Sequence, residues 1–207
     1  MNDYQINNWF PVPIYATILS DYNQQDMIDN LESPLYPTDP NYFGDSLDVQ
    51  QVHNRECFYW LNKQIKYHTR TYLDQIGVSK NFNIVVQKSW SVILSNGGWV
   101  EPHVHPNSHF SCIFYLKTSG GKIKFHRGDH PLKNLPLDYD NDTCYNYENC
   151  TYEPGDGMML LFPSTLKHEV ETYHGEDKRY SITYDLLLTT DSPRENTLLN
   201  PNHWLTL

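Results

Sequence analysis

Residues 101–106 read Glu-Pro-His-Val-His-Pro, and no other stretch of the 207-residue chain is as informative. Its two histidines, His103 and His105, lie two positions apart, so on an extended segment both side chains project to the same face. A third histidine, His168, follows an apolar segment and a proline turn later in the chain. Histidine is the commonest metal ligand among side chains. We therefore predict a metal site formed by His103, His105 and His168; the alternative is a hydrogen-bonded structural role for these imidazoles.

A short polar stripe follows the third histidine. Arg179, Ser181 and Thr183 alternate with Tyr180 and Ile182, so on a strand the first three share one face. An arginine that faces the inside of a barrel is costly unless it meets an anion, and a guanidinium binds a carboxylate through two hydrogen bonds. We predict that Arg179 binds the carboxylate of a co-substrate, with Ser181 and Thr183 beside it. A surface arginine at a strand edge is the alternative.

Tyr115 lies in the apolar segment 111–116, between the histidine pair and His168. Its phenol is able to contribute a hydrogen bond to the same carboxylate as Arg179, because a buried tyrosine hydroxyl usually finds a polar partner. A core tyrosine without a ligand is an equally good interpretation of this position.

The composition narrows the class of protein. A length of 207 residues suits one domain with a sizeable core, and 14% aromatic with 19% charged residues favours a β-rich globular chain over disorder. A formal net charge of -10 argues against a general nucleic-acid binder, which needs a basic face. The chain begins without a basic, apolar leader and contains no membrane-span pattern. We expect a cytoplasmic protein with its four cysteines reduced.

The spacing of apolar residues predicts a mainly β fold with N-terminal helices. A helix over 54–76 has apolar residues at three- and four-residue steps, a short helix over 24–31 precedes it, and the proline-rich residues 33–42 are expected to run over the surface. Strand patterns, separated by glycine- and proline-containing turns, fall at 9–20, 83–95, 99–105, 111–117, 122–126, 158–162, 168–172 and 179–189. This order predicts a double-stranded β-helix, that is, a cupin-like jelly roll.

We expect residues 1–207 to form a single domain, with helical support over about 20–80 and the jelly-roll core over about 82–190. Residues 132–152 are polar and rich in tyrosine, aspartate and asparagine. They are interpreted either as a loop that covers a substrate or as a solvated insertion.

Several of these segments resemble the iron(II)/2-oxoglutarate-dependent dioxygenases, notably the prolyl-hydroxylase branch. The resemblance spans about residues 90–188, and an opening segment at 9–13 and the segment 154–164 are similar to a bacterial and phage group of these oxygenases. Its motifs are His103-Val104-His105, residues 111–116, His168-Glu169-Val170 and residues 179–183.

The resemblance implies a single oxygenase domain, Fe(II) as the metal, 2-oxoglutarate and O2 as co-substrates, and ascorbate as an additional cofactor to test. It implies hydroxylation of a C–H bond with release of succinate and CO2. By the same resemblance His103 is the first metal ligand and His168 the last, while Arg179 and Ser181 bind the distal carboxylate of 2-oxoglutarate with Tyr115 assisting. The chain departs from the family pattern at His105, where an aspartate ligand usually stands, so the ligand set is one charge more positive.

Two other functions stay open on the sequence alone. A three-histidine face on a jelly roll also suits cupin-type metalloenzymes that use no 2-oxo acid, and the fold can serve as a non-catalytic binding module. For the oxygenase, the expected substrate is a peptide, a protein or a small molecule, and neither nucleic acid nor a membrane is expected as a partner.

Overall fold

The computed structural model describes residues 10–35, 51–78, 82–128, 136–192 and 198–206. The helices are α1 (Gln24–Leu31) and α2 (Tyr59–Gln75), with short 3-10 turns at Val52–Asn54, Glu56–Phe58 and Pro201–His203. The strands in these ranges are β1 (Tyr15–Ile18), β2 (Asn83–Leu94), β3 (Val100–His103), β4 (Phe110–Lys117), β5 (Ile123–His126), β6 (Asn149–Tyr152), β7 (Met158–Pro163), β8 (His168–Val170) and β9 (Arg179–Thr189). The predicted mainly β class with N-terminal helices is confirmed.

The strands form two antiparallel sheets. The larger sheet has the order β1-β7-β4-β9-β2, and the smaller has the order β3-β8-β5-β6. Except for β5 and β6, neighbouring strands in each sheet are not consecutive in sequence, as in the predicted jelly roll: β9 lies between β4 and β2, and β8 lies between β3 and β5. This topology brings β3 and β8, which carry two of the three histidines, side by side.

Each face of the larger sheet packs against a different part of the fold. On one face, side chains of β4 and β7 pack against Ile123 and Phe125 of the smaller sheet. On the other face, α1, α2 and the turns between them cover the sheet, and Phe114 contacts Tyr22 and Trp60 edge to face. The site therefore lies between the two sheets. The helices pack on the opposite face of the larger sheet.

Strand β9 divides its side chains between these two faces. Tyr180, Ile182 and Tyr184 belong to the helix-facing core. Because side chains alternate along a strand, the odd-numbered residues Arg179 and Ser181 face the smaller sheet instead. The alternation predicted for residues 179–183 is thus the observed one, and it continues to the end of the strand.

Helix α2 begins later than predicted. The helix expected over 54–76 starts at Tyr59, because Arg55 has extended backbone angles (φ -83°, ψ 137°) that interrupt it between two 3-10 turns. It ends as expected before Gly77, whose φ of +77° favours glycine, and Val78 N–H donates to the Leu73 carbonyl at 2.9 Å. The predicted helix over 24–31 is confirmed, with the Asn23 side chain as N-cap. No helix in the described ranges is long and apolar enough to cross a lipid bilayer.

Three strand predictions need correction. Residues 149–152, expected within a loop, form β6, which pairs with β5 as an edge strand and therefore lacks the apolar alternation of a buried strand. The strand predicted over 9–20 is limited to Tyr15–Ile18, after the two prolines, and that predicted over 99–105 ends at His103. Residue 9, residues 36–42 of the proline-rich stretch and residues 132–135 of the loop lie outside the described residues.

Glu32, which directly follows α1, ties that helix to β9. Its carboxylate accepts hydrogen bonds from Lys178 at 2.6 Å and from the Tyr180 hydroxyl at 2.7 Å, and these bonds lower the pKa of Glu32 from its ordinary value of 4.5. A carboxyl group whose pKa is lowered on folding stabilises the fold above its unfolded pKa, and this contribution is lost as the pH falls through the folded pKa.

We expect Glu32→Gln to reduce the free energy of unfolding by about 0.5–1 kcal/mol at pH 7, a small value because the side chain is 40% exposed and solvent screens the pair. The difference from wild type should shrink as the pH falls below 4.5. Denaturant unfolding at several pH values measures both effects. The matched control is Asp29→Asn, which removes an exposed carboxylate from the same helix. Equal losses in the two variants, or a loss that does not depend on pH, would contradict the assignment.

Candidate metal centre and anion site

The structure brings the three predicted histidines together between the sheets. His103 and His168 are directly opposite each other across β3 and β8, with ring centroids 4.4 Å apart. His105 lies beyond the end of β3, where its N–H donates to the Ser164 carbonyl at 2.9 Å, and its ring is stacked 5.1 Å from that of His103. One ligand atom from each histidine lies within 4.8 Å of the other two. The histidine pair thus reaches one site although only His103 belongs to the strand.

Hydrogen bonds orient all three rings in the same way. The Nδ1 of His103 lies 2.7 Å from the Glu101 carbonyl, and that of His168 lies 2.9 Å from the Leu166 carbonyl. The Nδ1 of His105 lies 2.6 Å from Oδ1 of Asp185. The two carbonyls and the carboxylate only accept hydrogen bonds, so each Nδ1 is assigned a proton, and a ring in its neutral form then keeps a lone pair on Nε2. The Ser111 hydroxyl also lies 3.0 Å from Nδ1 of His105.

These lone pairs point at one another. The Nε2 atoms of His103 and His105 are 3.2 Å apart, and neither carries a proton in the tautomer that the Nδ1 contacts impose. Two acceptors at this distance repel each other unless a cation lies between them. Imidazole ligands that donate their second N–H to a carbonyl or carboxylate are the usual arrangement around a protein-bound metal. The donor set therefore fits a divalent transition metal such as iron, nickel or zinc.

Burial keeps two of these ligands in the metal-binding form. It lowers the pKa of His168 to about 3, with the charge of His103 adding to the shift, and it lowers the pKa of His103 as well. Because a metal binds only the neutral ring, protons do not compete for these two nitrogens at neutral pH.

Two further side chains of the larger sheet contact His105 or its partner Asp185. The Trp90 ring lies at a tilt of 39°, with its centroid 5.3 Å from that of His105. Lys88 lies 4.8 Å over the Trp90 ring, and its Nζ is 3.4 Å from Oδ2 of Asp185. Sequence reasoning missed Asp185. The alternation Arg179, Ser181, Thr183 continues to it, and an inward-facing carboxylate is a signal that was available.

Arg179 is a buried cation without a carboxylate partner among the described residues. Its side chain is 1% exposed; Nη1 donates to the Ser181 hydroxyl at 3.1 Å, and Nε has no hydrogen-bond partner. Burial lowers the pKa of this guanidinium, because removal from water disfavours the charge. A buried, incompletely bonded guanidinium is a binding site for an anion.

Tyr115 contributes the second unsatisfied group. Its ring lies 5.0 Å below the Arg179 guanidinium, it is opposite Ser181 across β4 and β9, and its buried hydroxyl has no hydrogen-bond partner. Burial raises the pKa of Tyr115 to about 12, against the charge of Arg179, so the phenol remains a proton donor. Thr183 shares the face of Ser181 but lies opposite Trp90 and Ile113, nearer to the histidines than to the guanidinium along β9.

A glycine turn covers the guanidinium. Gly121 has a φ of +71°, and a Cβ at this position would lie 3.2 Å from both Cδ and Nε of Arg179. The backbone approaches the arginine this closely because residue 121 has no side chain.

Comparison with known proteins gives a family match for part of the chain. Residues 88–185, slightly less than half of it, match the family model described as "Putative 2OG-Fe(II) oxygenase". No curated protein matches the chain in sequence.

Solved structures with the same fold share little sequence with the chain. An oxidoreductase of the 2OG-Fe(II) oxygenase family from Burkholderia pseudomallei is 16% identical, with a TM-score of 0.53 over 83% of both chains. HygX from Streptomyces hygroscopicus, solved with nickel, 2-oxoglutarate and hygromycin B, is 12% identical, with a TM-score of 0.52 over 91% of this chain and 92% of its own. A Trichoplax adhaerens prolyl hydroxylase in complex with a hypoxia inducible factor peptide is 17% identical, with a TM-score of 0.51 over 83% and 82%.

At these identities the neighbours establish the architecture, a double-stranded β-helix, while the family model covers the strands that carry the histidines and Arg179. The expected cofactors, Fe(II) and 2-oxoglutarate, agree with the description of the family model. Residues 88–185 are thus similar to the Fe(II)- and 2-oxoglutarate-dependent oxygenases in sequence, and the chain shares the fold of the solved oxygenases.

Proposed function

We propose that the chain is a 2-oxoglutarate- and Fe(II)-dependent dioxygenase that hydroxylates a C–H bond of a peptide, protein or small-molecule substrate and releases succinate and CO2. Residues 1–207 act as one domain in this proposal. The observation that carries it is the presence, between the same two sheets, of three converging imidazoles and a buried guanidinium without a carboxylate partner among the described residues.

His103, His105 and His168 would hold the metal through Nε2. When bound, Fe(II) supplies the redox chemistry that couples decarboxylation of the 2-oxo acid to hydroxylation of the substrate. The protein groups fix the ligand geometry: two backbone carbonyls and one carboxylate hold the Nδ1 protons, so no ring has to change tautomer when the metal binds.

Arg179 would bind the distal carboxylate of 2-oxoglutarate. Nε and the unsatisfied Tyr115 hydroxyl supply donors, and Ser181 orients Nη1. With Thr183 on the same face between this group and the histidines, β9 lines the path of the co-substrate. Burial excludes water from the guanidinium, which strengthens its interaction with the anion.

The substrate would reach the site at the end of the smaller sheet where His168 begins β8. Phe125 is opposite His168, and β5 ends one residue later. Described residues 136–148, which precede β6 in the chain, are exposed except Asn146, which is half-buried. Structural neighbours were solved with a peptide and with hygromycin B, which supports a peptide or a small molecule as the substrate.

An anaerobic Fe(II) titration tests the metal and the co-substrate together. We expect 2-oxoglutarate to change the absorption of the Fe(II)-loaded protein, because chelation of the metal by a 2-oxo acid creates a charge-transfer transition. His168→Ala should abolish the change, since it removes one of three ligands. The control is His126→Ala, a histidine of the outer face of the smaller sheet that pairs with Glu169. If 2-oxoglutarate does not change the absorption spectrum of the Fe(II)-loaded wild-type protein, the result would contradict the proposal. It would favour a three-histidine metalloenzyme that uses no 2-oxo acid.

Arg179→Ala tests the anion site. We expect the dissociation constant for 2-oxoglutarate to rise by about 10- to 100-fold, the effect of losing hydrogen bonds between charged groups, while metal affinity stays unchanged. Succinate formation with Fe(II) and ascorbate should fall in parallel. Arg70→Ala, which removes an arginine from the helical layer, is the control and should bind 2-oxoglutarate as wild type does. Unchanged 2-oxoglutarate binding in Arg179→Ala would contradict the assigned role.

A further inference from the structure

Asp185 is the one carboxylate buried among the described residues, and it contacts the metal centre through a single ring. Its side chain is fully buried, with Oδ1 2.6 Å from Nδ1 of His105 and 3.0 Å from the Ser111 hydroxyl. It is not itself within the group of converging ligand atoms. It therefore acts on the site only through the ring that it touches.

The charge balance of the site leaves a role for this carboxylate. Three neutral imidazoles carry no charge, so a divalent ion bound to them brings two positive charges into a partly buried space, which is costly without a nearby anion. Asp185 supplies one negative charge one imidazole ring away from the Nε2 that faces the other ligands.

The surroundings of Asp185 do not explain the burial of its charge by themselves. Lys88 is 3.4 Å from Oδ2, but this oxygen has no hydrogen bond. The Ser111 hydroxyl is shared between Asp185 and Ser164. Apart from its bond to His105, the buried carboxylate has one ion pair at 3.4 Å with a partly exposed lysine and one shared hydroxyl. These partners compensate its charge incompletely, and a metal ion on the far side of His105 would complete its environment.

We infer that Asp185 is a positioning residue of the metal centre: it fixes the proton of His105 on Nδ1 and supplies, through that ring, the negative charge that the three-histidine ligand set lacks. Trp90 packs against the same ring, and the carboxylate fixes both the orientation and the tautomer of the ring. This role of Asp185 rests on the proposed metal site, to whose ligand set Asp185 adds a negative charge.

The test is metal binding by Asp185→Asn, measured with Co(II) alone and with Fe(II) under anaerobic conditions. The amide keeps the size and one acceptor oxygen but removes the charge. We expect affinity for either metal to fall about 10- to 100-fold, the usual effect of removing a hydrogen-bond partner of a ligating histidine. The reduction potential of the bound iron should rise, because the lost negative charge stabilised Fe(III) more than Fe(II). A carboxylate that only supported the fold would leave this potential unchanged.

The matched control is Glu169→Gln, which removes a carboxylate adjacent to His168 in sequence that pairs with Lys124 and His126 instead. It should bind metal as wild type does. If wild-type protein binds Co(II) and Asp185→Asn binds it within twofold of wild type, the inference is overturned while the proposed function stands. If wild-type protein binds neither metal, the proposed function fails and the inference fails with it.

Lys88→Met provides a second variant that does not depend on the folding of Asp185→Asn. Lys88 is 27% exposed, so its removal leaves the core intact, and the charge of Asp185 is no longer shared with it. We expect Co(II) affinity to increase about two- to fivefold, the effect of removing one partly exposed cation from an ion pair. Unchanged or weaker binding would overturn the inference even if Asp185→Asn does not fold.

Discussion

The direction of the imidazole protons is the constraint on which the site depends. Each Nδ1 proton has its own acceptor, two of them backbone carbonyls and one the Asp185 carboxylate. The lone pairs are thereby turned towards a common point before any ion arrives. Two of these acceptors, the carbonyls of Glu101 and Leu166, lie two residues before the histidines they hold, so local backbone geometry alone orients His103 and His168.

The same strand builds the site and anchors it. Alternate residues of β9 point to the anion site and to the helix-packed core, so Arg179 and Ser181 cannot move without Tyr180 and Ile182. Tyr180 in turn is bonded to Glu32 after α1. Packing of the helical layer against β9 fixes the position of this strand. Arg179 therefore stays buried although it has no carboxylate partner among the described residues.

The sequence was sufficient for those features that depend on local period and order. The spacing of His103 and His105, the alternation from Arg179 and the apolar stripe of α2 each predicted what the structure contains. It was insufficient where distant segments meet: Asp185 and His105 are 80 positions apart, and their contact depends on how β9 lies beside the loop after β3. Strand β6 was missed because its residues are almost entirely exposed, and an edge strand has no buried face to reveal it.

The close contact between Gly121 and Arg179 bears on the length of the anion that the proposed function requires. The backbone at Gly121 packs against Cδ and Nε of Arg179, and the position of Arg179 along β9 is set by the pairing of that strand with β2 and β4. Under the proposed function, a dicarboxylic acid held by Arg179 at one end and by the metal at the other would be selected by the number of carbons between its carboxyl groups.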